Sequence, residues 1–379
     1  MKILVAFATL LLCSCGLFTT NSQAPTLASK DAWLTSSNIL SLAATSQLEA
    51  GDTAIAMILN PAIDKECVVY TGLGVRCLSH DSLNTFWVSH NSRQIYFADS
   101  QRQIILDART FDTLLARKQD SVFTDTASRI LSDFAEISSG LFLLNEYLGD
   151  LKLIDSSSAY SISTGLLNSA RLPTRGWSSF WKGSTGKTCF AEGGNITGSR
   201  ILCIDSNAQI DTLQEVGNDS IRSSILLSLS AWKGLLWGVL VSRDGGTNSE
   251  KHYNAHIALT SMDLSGGSLA AYSASNHNDI TYFAYKLLAN DALGAYVILA
   301  ENYPTGEGTG ALLTIYRADS KNVLQQIKRY HVDGISLGIK TAWAVDANHF
   351  AVVLNNSFWN DGADNIMLFD KNGNVVKGL

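Results

Sequence analysis

The chain has 379 residues, of which 46% are hydrophobic and 16% are charged. This balance predicts a folded protein with a large core and argues against intrinsic disorder. The 28 basic and 34 acidic side chains give a formal net charge of −6. Because no basic stripe is present to neutralise phosphates, the composition argues against nucleic acid as a partner.

The first residues form a short leader, with Lys2, an apolar stretch from Ile3 to Leu12, and the run Cys13-Ser14-Cys15-Gly16. The apolar stretch is too short for a permanent membrane-spanning helix and is typical of a signal peptide. With Leu12 three positions before Cys15 and a small residue directly before it, the leader resembles the lipobox of bacterial lipoproteins. The resemblance implies that residues 1–14 are removed and that Cys15 is acylated. The alternative is an ordinary cleaved signal peptide with two incidental cysteines.

Acyl chains on Cys15 would be buried in one membrane leaflet, at roughly 0.8 kcal/mol for each CH₂. Gly16, rather than Asp, follows the cysteine, which resembles the signal for outer-membrane sorting. The expected location is therefore the bacterial outer membrane, with the protein facing the periplasm or the cell surface. Residues 15–40, rich in Ser, Thr, Ala and Asn, predict a flexible tether before a domain at 41–379.

The four remaining cysteines form two close pairs, Cys67 with Cys77 and Cys189 with Cys203, and each pair spans a glycine-bearing turn. Positions placed symmetrically about a hairpin turn lie within reach of a disulfide. The sequence therefore predicts two local disulfides, in keeping with an oxidising compartment. A zinc site is the alternative, although no Cys-x-x-Cys spacing accompanies it.

The body of the chain repeats a pattern of apolar strands in which one strand ends in an aspartate before a short turn. These aspartates are Asp99, Asp155, Asp205, Asp263, Asp319 and Asp370, spaced by 50 to 58 residues. Short strands with this period predict the four-stranded blades of a β-propeller. The aspartate is expected to cap the backbone of its turn, with no catalytic role.

Six repeats are predicted, with first strands near residues 75, 133, 177, 225, 281 and 339. Thr53 to Leu59 and Cys67 to Thr71 add strands that complete a seventh blade or close the ring. The segment from Phe111 to Phe134 predicts a short helical insertion between the first two repeats. The expected fold class is all-β, a β-propeller of six to seven four-stranded blades with that insertion.

The repeats resemble the broad group of pyrroloquinoline-quinone-like and YVTN-like propellers, whose blades also carry an apolar strand ending in Asp before a turn. The Thr-Gly that usually follows is replaced here by Ser-Ser, Asn-Ala or Lys-Asn. A lipid-anchored propeller is also similar in general form to the scaffold subunit of the outer-membrane protein assembly machine.

In a propeller, the connections from second to third strands and those between blades share one face around the central channel. That face is expected to gather acidic and aromatic residues, which are Glu146, Glu192, Asp244, Glu301, Tyr303, Trp359 and Asp361. Such a surface suits a cation, a sugar or a basic peptide. The alternative is that these residues are solvated loop charges.

Two functions are compatible with these features. The first is a binding or scaffold protein that holds another envelope protein or a glycan. The second is a hydrolase or lyase acting on saccharides or lactones, with carboxylates as acid and base. No catalytic residue or metal ligand is assigned, and the lack of a nucleophile motif favours the first. No cofactor is predicted, and calcium is the one ion that the acidic face would suit.

Overall fold

The computed structural model describes residues 24–35, 38–45, 52, 54–60, 65–79, 85–88, 94–98, 102–118, 131–146, 151–162, 176–177, 180–182, 186–194, 198–216, 222–233, 235–244, 255–262, 270–271, 275–277, 282–305, 308–333, 337–356 and 364–377. The first described elements are strand β1 (Thr26–Leu27), a single 3-10 turn (Ser29–Asp31) and helix α1 (Ile39–Thr45). Every later element described is a β-strand, so the chain is predominantly β.

These later strands form seven sheets that follow one another along the chain. Sheet 1 contains β2 (Ala54–Asn60), β3 (Lys65–Tyr70) and β4 (Val75–Ser79). Sheet 2 contains β5 (Thr85–Val88), β6 (Gln94–Ala98), β7 (Arg102–Asp107) and β8 (Thr113–Lys118). Sheet 3 contains β9 (Leu131–Ser138), β10 (Leu141–Glu146), β11 (Leu151–Ile154) and β12 (Ala159–Ile162). Sheet 4 contains β13 (Gly176–Trp177), β14 (Trp181–Lys182), β15 (Thr188–Gly194), β16 (Gly198–Ile204) and β17 (Ile210–Val216).

The last three sheets have the longest strands. Sheet 5 contains β18 (Arg222–Trp232), β19 (Leu235–Asp244), β20 (Ala255–Met262), β21 (Ala270–Ala271) and β22 (Ser275–His277). Sheet 6 contains β23 (Tyr282–Asn290), β24 (Gly294–Thr305), β25 (Gly308–Ala318) and β26 (Leu324–Asp333), with β1 added at its outer edge. Sheet 7 contains β27 (Leu337–Ala344), β28 (His349–Asn356), β29 (Asp364–Asp370) and β30 (Val375–Val376). Paired strands of each sheet are antiparallel, apart from β1, which is parallel to β26.

The cores lie between neighbouring sheets, because alternate residues of one strand point to opposite sides. In β24, Tyr296 and Ile298 pack with residues of sheet 7, whereas Val297 and Leu299 pack with residues of sheet 5. The first strands of the first and last sheets, β2 and β27, also contact each other. The sheets therefore close into a ring, and the fold is a β-propeller whose sheets we call blades 1 to 7.

The position of the first predicted repeat is wrong, whereas the other predicted first strands lie within three residues of the observed starts. Residue 75 begins β4, the last strand described in blade 1, and blade 2 begins at Thr85. The two additional strands predicted ahead of the repeats are β2 and β3. Together with β4 they form blade 1, which brings the number of blades to seven. The structure describes three strands of blade 1, and residues 46–51 and 80–84 on either side of them lie outside the described part of the chain.

The helical insertion expected between Phe111 and Phe134 is wrong at both of its ends. Thr113–Lys118 forms β8 and Leu131–Ser138 forms β9, while residues 119–130 lie outside the described part of the chain. In β8 the side chains alternate between exposed and buried from Leu114 to Lys118, which is the two-residue period of a strand. The described α-helix, α1, lies near the N terminus instead.

The N-terminal segment crosses the outer edges of three blades, and we call residues 24–35 and 38–45 the clasp. Strand β1 pairs parallel with β26 of blade 6, and Leu34 bridges to Ile366 of blade 7. Helix α1 then contacts β4, the outer strand of blade 1. Leu27, Leu34 and Ile39 of the clasp are buried in the cores between these blades. The described residues between 24 and 40 therefore differ from the flexible tether predicted for residues 15–40, since apolar burial holds the clasp against the ring. Residues 15–23 lie outside the described part of the chain.

Both predicted disulfides, Cys67–Cys77 and Cys189–Cys203, are formed in the structure. Each joins directly opposite residues of two neighbouring antiparallel strands, β3 with β4 and β15 with β16, and the Cα atoms are 4.0 Å apart in both pairs. The zinc alternative is wrong, because both sulfur atoms of each pair are used in the bond.

Candidate functional site

The connections within and between blades alternate between two faces of the ring because the strands are antiparallel. The turn face carries the connections from first to second and from third to fourth strands. The loop face carries those from second to third strands and from each blade to the next. The predicted binding residues belong to the loop face, whereas the repeated aspartates belong to the turn face.

Each described aspartate of the repeat ends a third strand on the turn face and caps the turn that follows. Asp155 is representative, since its Oδ1 accepts hydrogen bonds from the backbone N–H groups of Ser157 and Ser158, both at 2.7 Å. The same arrangement recurs at Asp107, Asp205, Asp319 and Asp370. The capping role predicted for Asp155, Asp205, Asp319 and Asp370 is therefore confirmed.

The assignment of Asp99 as the first turn-capping aspartate of the series is wrong. Asp107, at the end of β7, occupies the position assigned to Asp99, because the observed third strand runs through Asp107. Asp99 and Asp263 lie outside the described residues.

Hydrogen bonds from the backbone N–H of Ser157 and from the Ser158 hydroxyl lower the pKa of Asp155 to about 2. An acid held in its ionised form by its own turn is a structural group.

Side chains of the preceding blade hold several of these turns in place. The Tyr70 hydroxyl of blade 1 donates a 2.5 Å hydrogen bond to the carbonyl of Ala108 in the Asp107 turn. The Tyr330 hydroxyl of blade 6 donates a 2.7 Å hydrogen bond to the carbonyl of Gly373 in the Asp370 turn. An Arg117 guanidinium N–H of blade 2 similarly donates to the carbonyl of Ser158. The polar groups of the turn face thus join one blade to the next.

The structure places five of the seven predicted binding residues on second strands, near their loop-face ends. They are Glu146 on β10, Glu192 on β15, Asp244 on β19, and Glu301 and Tyr303 on β24. Trp359 and Asp361 fall between β28 and β29, outside the described residues. The side chain is described for Glu301 alone among the seven, and a ligand-binding role for the set stays a prediction.

Glu301 is a buried acid in the second strand of blade 6. Its side chain is 0% exposed, and its Oε2 lies 3.5 Å from a guanidinium nitrogen of Arg329 on β26. Burial of a carboxylate in a sheet needs a compensating partner, since an unpaired buried charge is very unfavourable. The Arg329 side chain is 40% exposed. Glu301 is therefore not a solvated loop charge, and the cation above it is the group that solvent reaches.

Blade 7 carries a second pair of the same kind. Asp364, at the start of β29, is 3% exposed, and its Oδ2 lies 2.6 Å from the Lys340 ammonium on β27. Its Oδ1 accepts a 3.1 Å hydrogen bond from the side-chain amide of Asn355 on β28. The Lys340 side chain is 49% exposed. Three strands of one blade therefore combine to hold one half-exposed cation over one buried carboxylate.

Arg329, Lys340 and Asn355 were not predicted because only acidic and aromatic residues were expected on this face, and Asp364 was not among the acidic residues expected there. For Lys340 the sequence did contain an indication, because it is the only charged residue of the apolar strand β27.

Among the described residues, no group of three or more His, Cys, Asp and Glu side chains is placed to hold a metal ion. In the described part of the chain, no helix is long and apolar enough to cross a membrane.

The chain matches no protein-family model and no curated protein. Among solved structures, it is similar to the β-propeller domain of Nup133 from Vanderwaltozyma polyspora, at 9% identity and a TM-score of 0.47, covering 85% of this chain and 99% of that one. It is also similar to the C-terminal WD40 domain of Sif2, at 9% identity and a TM-score of 0.44, covering 84% and 82%. The calcium-binding protein regucalcin from Agrobacterium tumefaciens is 14% identical with a TM-score of 0.38, covering 78% and 91%. Likenesses this distant assign no function, and the resemblance to the pyrroloquinoline-quinone-like group stays a prediction.

Proposed function

We propose that this chain is a lipoprotein of the bacterial outer membrane, anchored through Cys15, that binds another envelope protein through the loop face of its propeller. The observation that carries the proposal is the pair of half-exposed cations, Arg329 and Lys340, each set over a buried carboxylate on neighbouring blades.

Cations held in this way are suited to recognition because their positions are fixed before a partner arrives. A long flexible side chain loses about 0.5 to 1.5 kcal/mol of entropy when an interface immobilises it. The contacts of Arg329 with Glu301 and of Lys340 with Asp364 already restrict both side chains. Guanidinium and ammonium groups have five and three N–H donors, more than a contact with one carboxylate oxygen uses.

The charges along the loop face also favour a protein partner. Glu146, Glu192 and Asp244 occupy loop-face positions on blades 3, 4 and 5, whereas the two cations lie on blades 6 and 7. Arg200 lies directly opposite Glu192, and Arg222 lies directly opposite Asp244, so charges of both signs line this face. Such a face favours a partner with complementary charges of both signs, because matched charges orient an approaching protein and raise its association rate.

The proposal is tested by crosslinking and affinity capture of the full chain from the envelope of its host, followed by mass spectrometry. Arg329→Glu and Lys340→Glu reverse the two cations, and we expect each to lower recovery of a specific protein by at least about tenfold. Arg329→Lys and Lys340→Arg keep the ion pairs and should retain most of the recovery. Lys233→Glu, an exposed reversal on the turn face, should leave it unchanged.

Thermal unfolding of each variant separates loss of binding from loss of the fold. Equal recovery of the same protein with the reversed and the native chains, both folded, would show that the loop face is not the interface. Capture of a saccharide without a protein would show that the ligand of the loop face is a glycan and not a protein. The anchor is tested separately by the mass of the N-terminal peptide, which should begin at Cys15 and carry acyl chains.

A further inference from the structure

We propose that the outer rim of blades 6 and 7 faces the membrane and contacts the phosphate groups of its lipids. This inference rests on the proposed anchoring at Cys15. It adds which surface of the propeller meets the membrane, and it leaves the loop face accessible to a protein partner.

The path of the clasp determines where the tether leaves the ring. Strand β1 lies on the outer edge of β26, with Thr26 opposite His331 and Leu27 opposite Val332. The backbone N–H of His331 also donates a 3.0 Å hydrogen bond to the carbonyl of Pro25. Leu27 is 1% exposed and is part of the core between blades 6 and 7. The chain therefore reaches the rim of blade 6 at Ala24 and is held there.

The tether between this point and the anchor is short. Cys15 precedes Ala24 by nine residues, and nine fully extended residues span at most about 30 Å. Strand β26 alone has 10 residues, or about 33 Å at 3.3 Å per residue. An anchor at Cys15 therefore keeps the rim of blades 6 and 7 near the bilayer, whereas blades 2 and 3 lie on the opposite side of the ring.

The same rim, together with the adjoining edge of the turn face, carries a group of cations with solvent-accessible side chains. Lys30 is exposed on the 3-10 turn, and Lys377 is 72% exposed beside Asp31. Lys328 on β26 donates a hydrogen bond to Asn374, and Lys371 in the Asp370 turn donates one to Asn348. Lys321 is exposed in the Asp319 turn. Although the whole chain is acidic, these five lysines outnumber the four carboxylates described beside them, Asp31, Asp319, Asp346 and Asp370.

Lysines at this rim complement an anionic lipid surface. Each Lys or Arg near an anionic bilayer contributes about 1 kcal/mol, within the screening distance of about 8 Å at physiological salt. A single acyl anchor is also strengthened by a basic patch that contacts the headgroups. The clasp brings the tether of the acyl anchor and the lysines of the basic patch to the same side of the ring.

The orientation is tested by lysine acetylation and mass spectrometry on protein tethered to vesicles. Residues 1–15 are replaced by a hexahistidine tag, and the chain is bound to phosphatidylglycerol vesicles that contain a nickel-chelating lipid. We expect the acetylation rates of Lys30, Lys328 and Lys371 to fall at least about threefold relative to the free protein. Lys118 on the rim of blade 2 and Lys233 on blade 5 are matched controls whose rates should not change.

A charge-reversal pair sharpens the test. Lys328→Glu with Lys371→Glu should remove the protection of Lys30 and lower binding of the untagged chain to phosphatidylglycerol vesicles by more than about tenfold, since each lysine is worth roughly fivefold. Lys118→Glu should leave both unchanged. Equal protection of all lysines, or stronger protection of Lys118, would overturn the proposed orientation. The tag supplies the tether in this experiment, so that result is distinct from a finding that Cys15 carries no lipid.

Discussion

On the turn face, the carboxylates of five aspartates accept hydrogen bonds from the backbone of their own turns, whereas on the loop face two buried carboxylates pair with half-exposed cations. In both arrangements the carboxylate has a polar partner, but they differ in which polar groups stay accessible to other molecules. The turn-face acids have local partners, and neighbouring blades add contacts to the same turns. The loop-face pairs leave cationic groups in solvent. The comparison indicates that the aspartate repeat maintains the ring and that the loop face is where binding is to be sought.

The largest effect on the turn face is expected from Gly373→Ala in the Asp370 turn. Gly373 has a φ of +78°, and a Cβ there would lie 2.9 Å from the Cβ of Lys328. The left-handed conformation disfavours alanine by about 1 to 2 kcal/mol, and overpacking adds about 1 to 3 kcal/mol. The free energy of unfolding in urea should therefore fall by about 3 kcal/mol.

Gly186→Ala is the matched control for that variant. Gly186 also has a positive φ, of +80°, but nothing lies within 4 Å of a Cβ placed there. Its substitution should lower the free energy of unfolding by only about 1 kcal/mol. If both variants lose the same stability, the close packing of the Asp370 turn against blade 6 does not contribute as described.

A smaller effect is expected from Tyr330→Phe, which removes the hydrogen bond from blade 6 to the Gly373 carbonyl. Loss of a buried partner should lower the free energy of unfolding by about 1 to 2 kcal/mol at neutral pH. Burial raises the pKa of Tyr330 to about 12 from its usual 10.0. The neutral hydroxyl therefore stabilises the fold below pH 10, and this contribution is lost as the pH rises from 10 to 12.

Urea unfolding between pH 8 and pH 12 checks this prediction. The difference between native protein and Tyr330→Phe should shrink across that window. Tyr296→Phe serves as a comparison, since the Tyr296 hydroxyl donates to the carbonyl of Lys371 at a partly buried position, and its loss should have the weaker effect. A constant difference at all pH values would contradict the role assigned to the Tyr330 hydroxyl.

The fold was largely predictable from the sequence because the signals are local. Alternation along strands such as β24 and the aspartate at each turn both depend on residues close in sequence. The first repeat was misplaced because Asp99 and Asp107 both follow apolar runs, and only strand pairing selects Asp107. The clasp could not be predicted, since Leu27, Leu34 and Ile39 belong to short apolar groups in a segment rich in Ser, Thr and Ala, and their burial depends on distant blades.

The candidate site was predictable only in part, for a related reason. The topology of a propeller was enough to assign Glu301 to a second strand near the loop face. Its burial and its pairing with Arg329 depend on contacts between strands that are 28 residues apart in sequence. Likewise, Lys340 and Asp364 meet only after blade 7 has formed. The sequence pattern predicted the face on which these residues lie, but not that the carboxylates are buried and the cations exposed.

A stabilising effect of about 1 kcal/mol is expected from Ala208→Gly in the Asp205 turn. Ala208 has a φ of +63°, a left-handed conformation that costs a residue with a Cβ about 1 to 2 kcal/mol, part of which glycine loses again through its more flexible unfolded state. Asn322, at the same place in the Asp319 turn, has a φ of +62°. Asparagine tolerates this conformation better, so Asn322→Gly should change the free energy of unfolding by less. Destabilisation by Ala208→Gly in urea would show that the methyl group makes a needed contact.

The smallest effect is expected from Asp155→Asn, and it should depend on pH. The hydrogen bonds from Ser157 and Ser158 hold the pKa of Asp155 at about 2, below its usual 3.8. The ionised carboxylate therefore stabilises the fold above pH 3.8, and this contribution is lost as the pH falls from 3.8 to 2. Asparagine keeps an oxygen that accepts the same backbone hydrogen bonds but does not titrate. The urea midpoint of the variant should be slightly lower than that of the native protein at pH 6 and should converge with it near pH 2. Parallel curves over that range would mean that the turn does not depend on the charge of Asp155, and the contrast between turn-face and loop-face acids would then rest on the ion pairs alone.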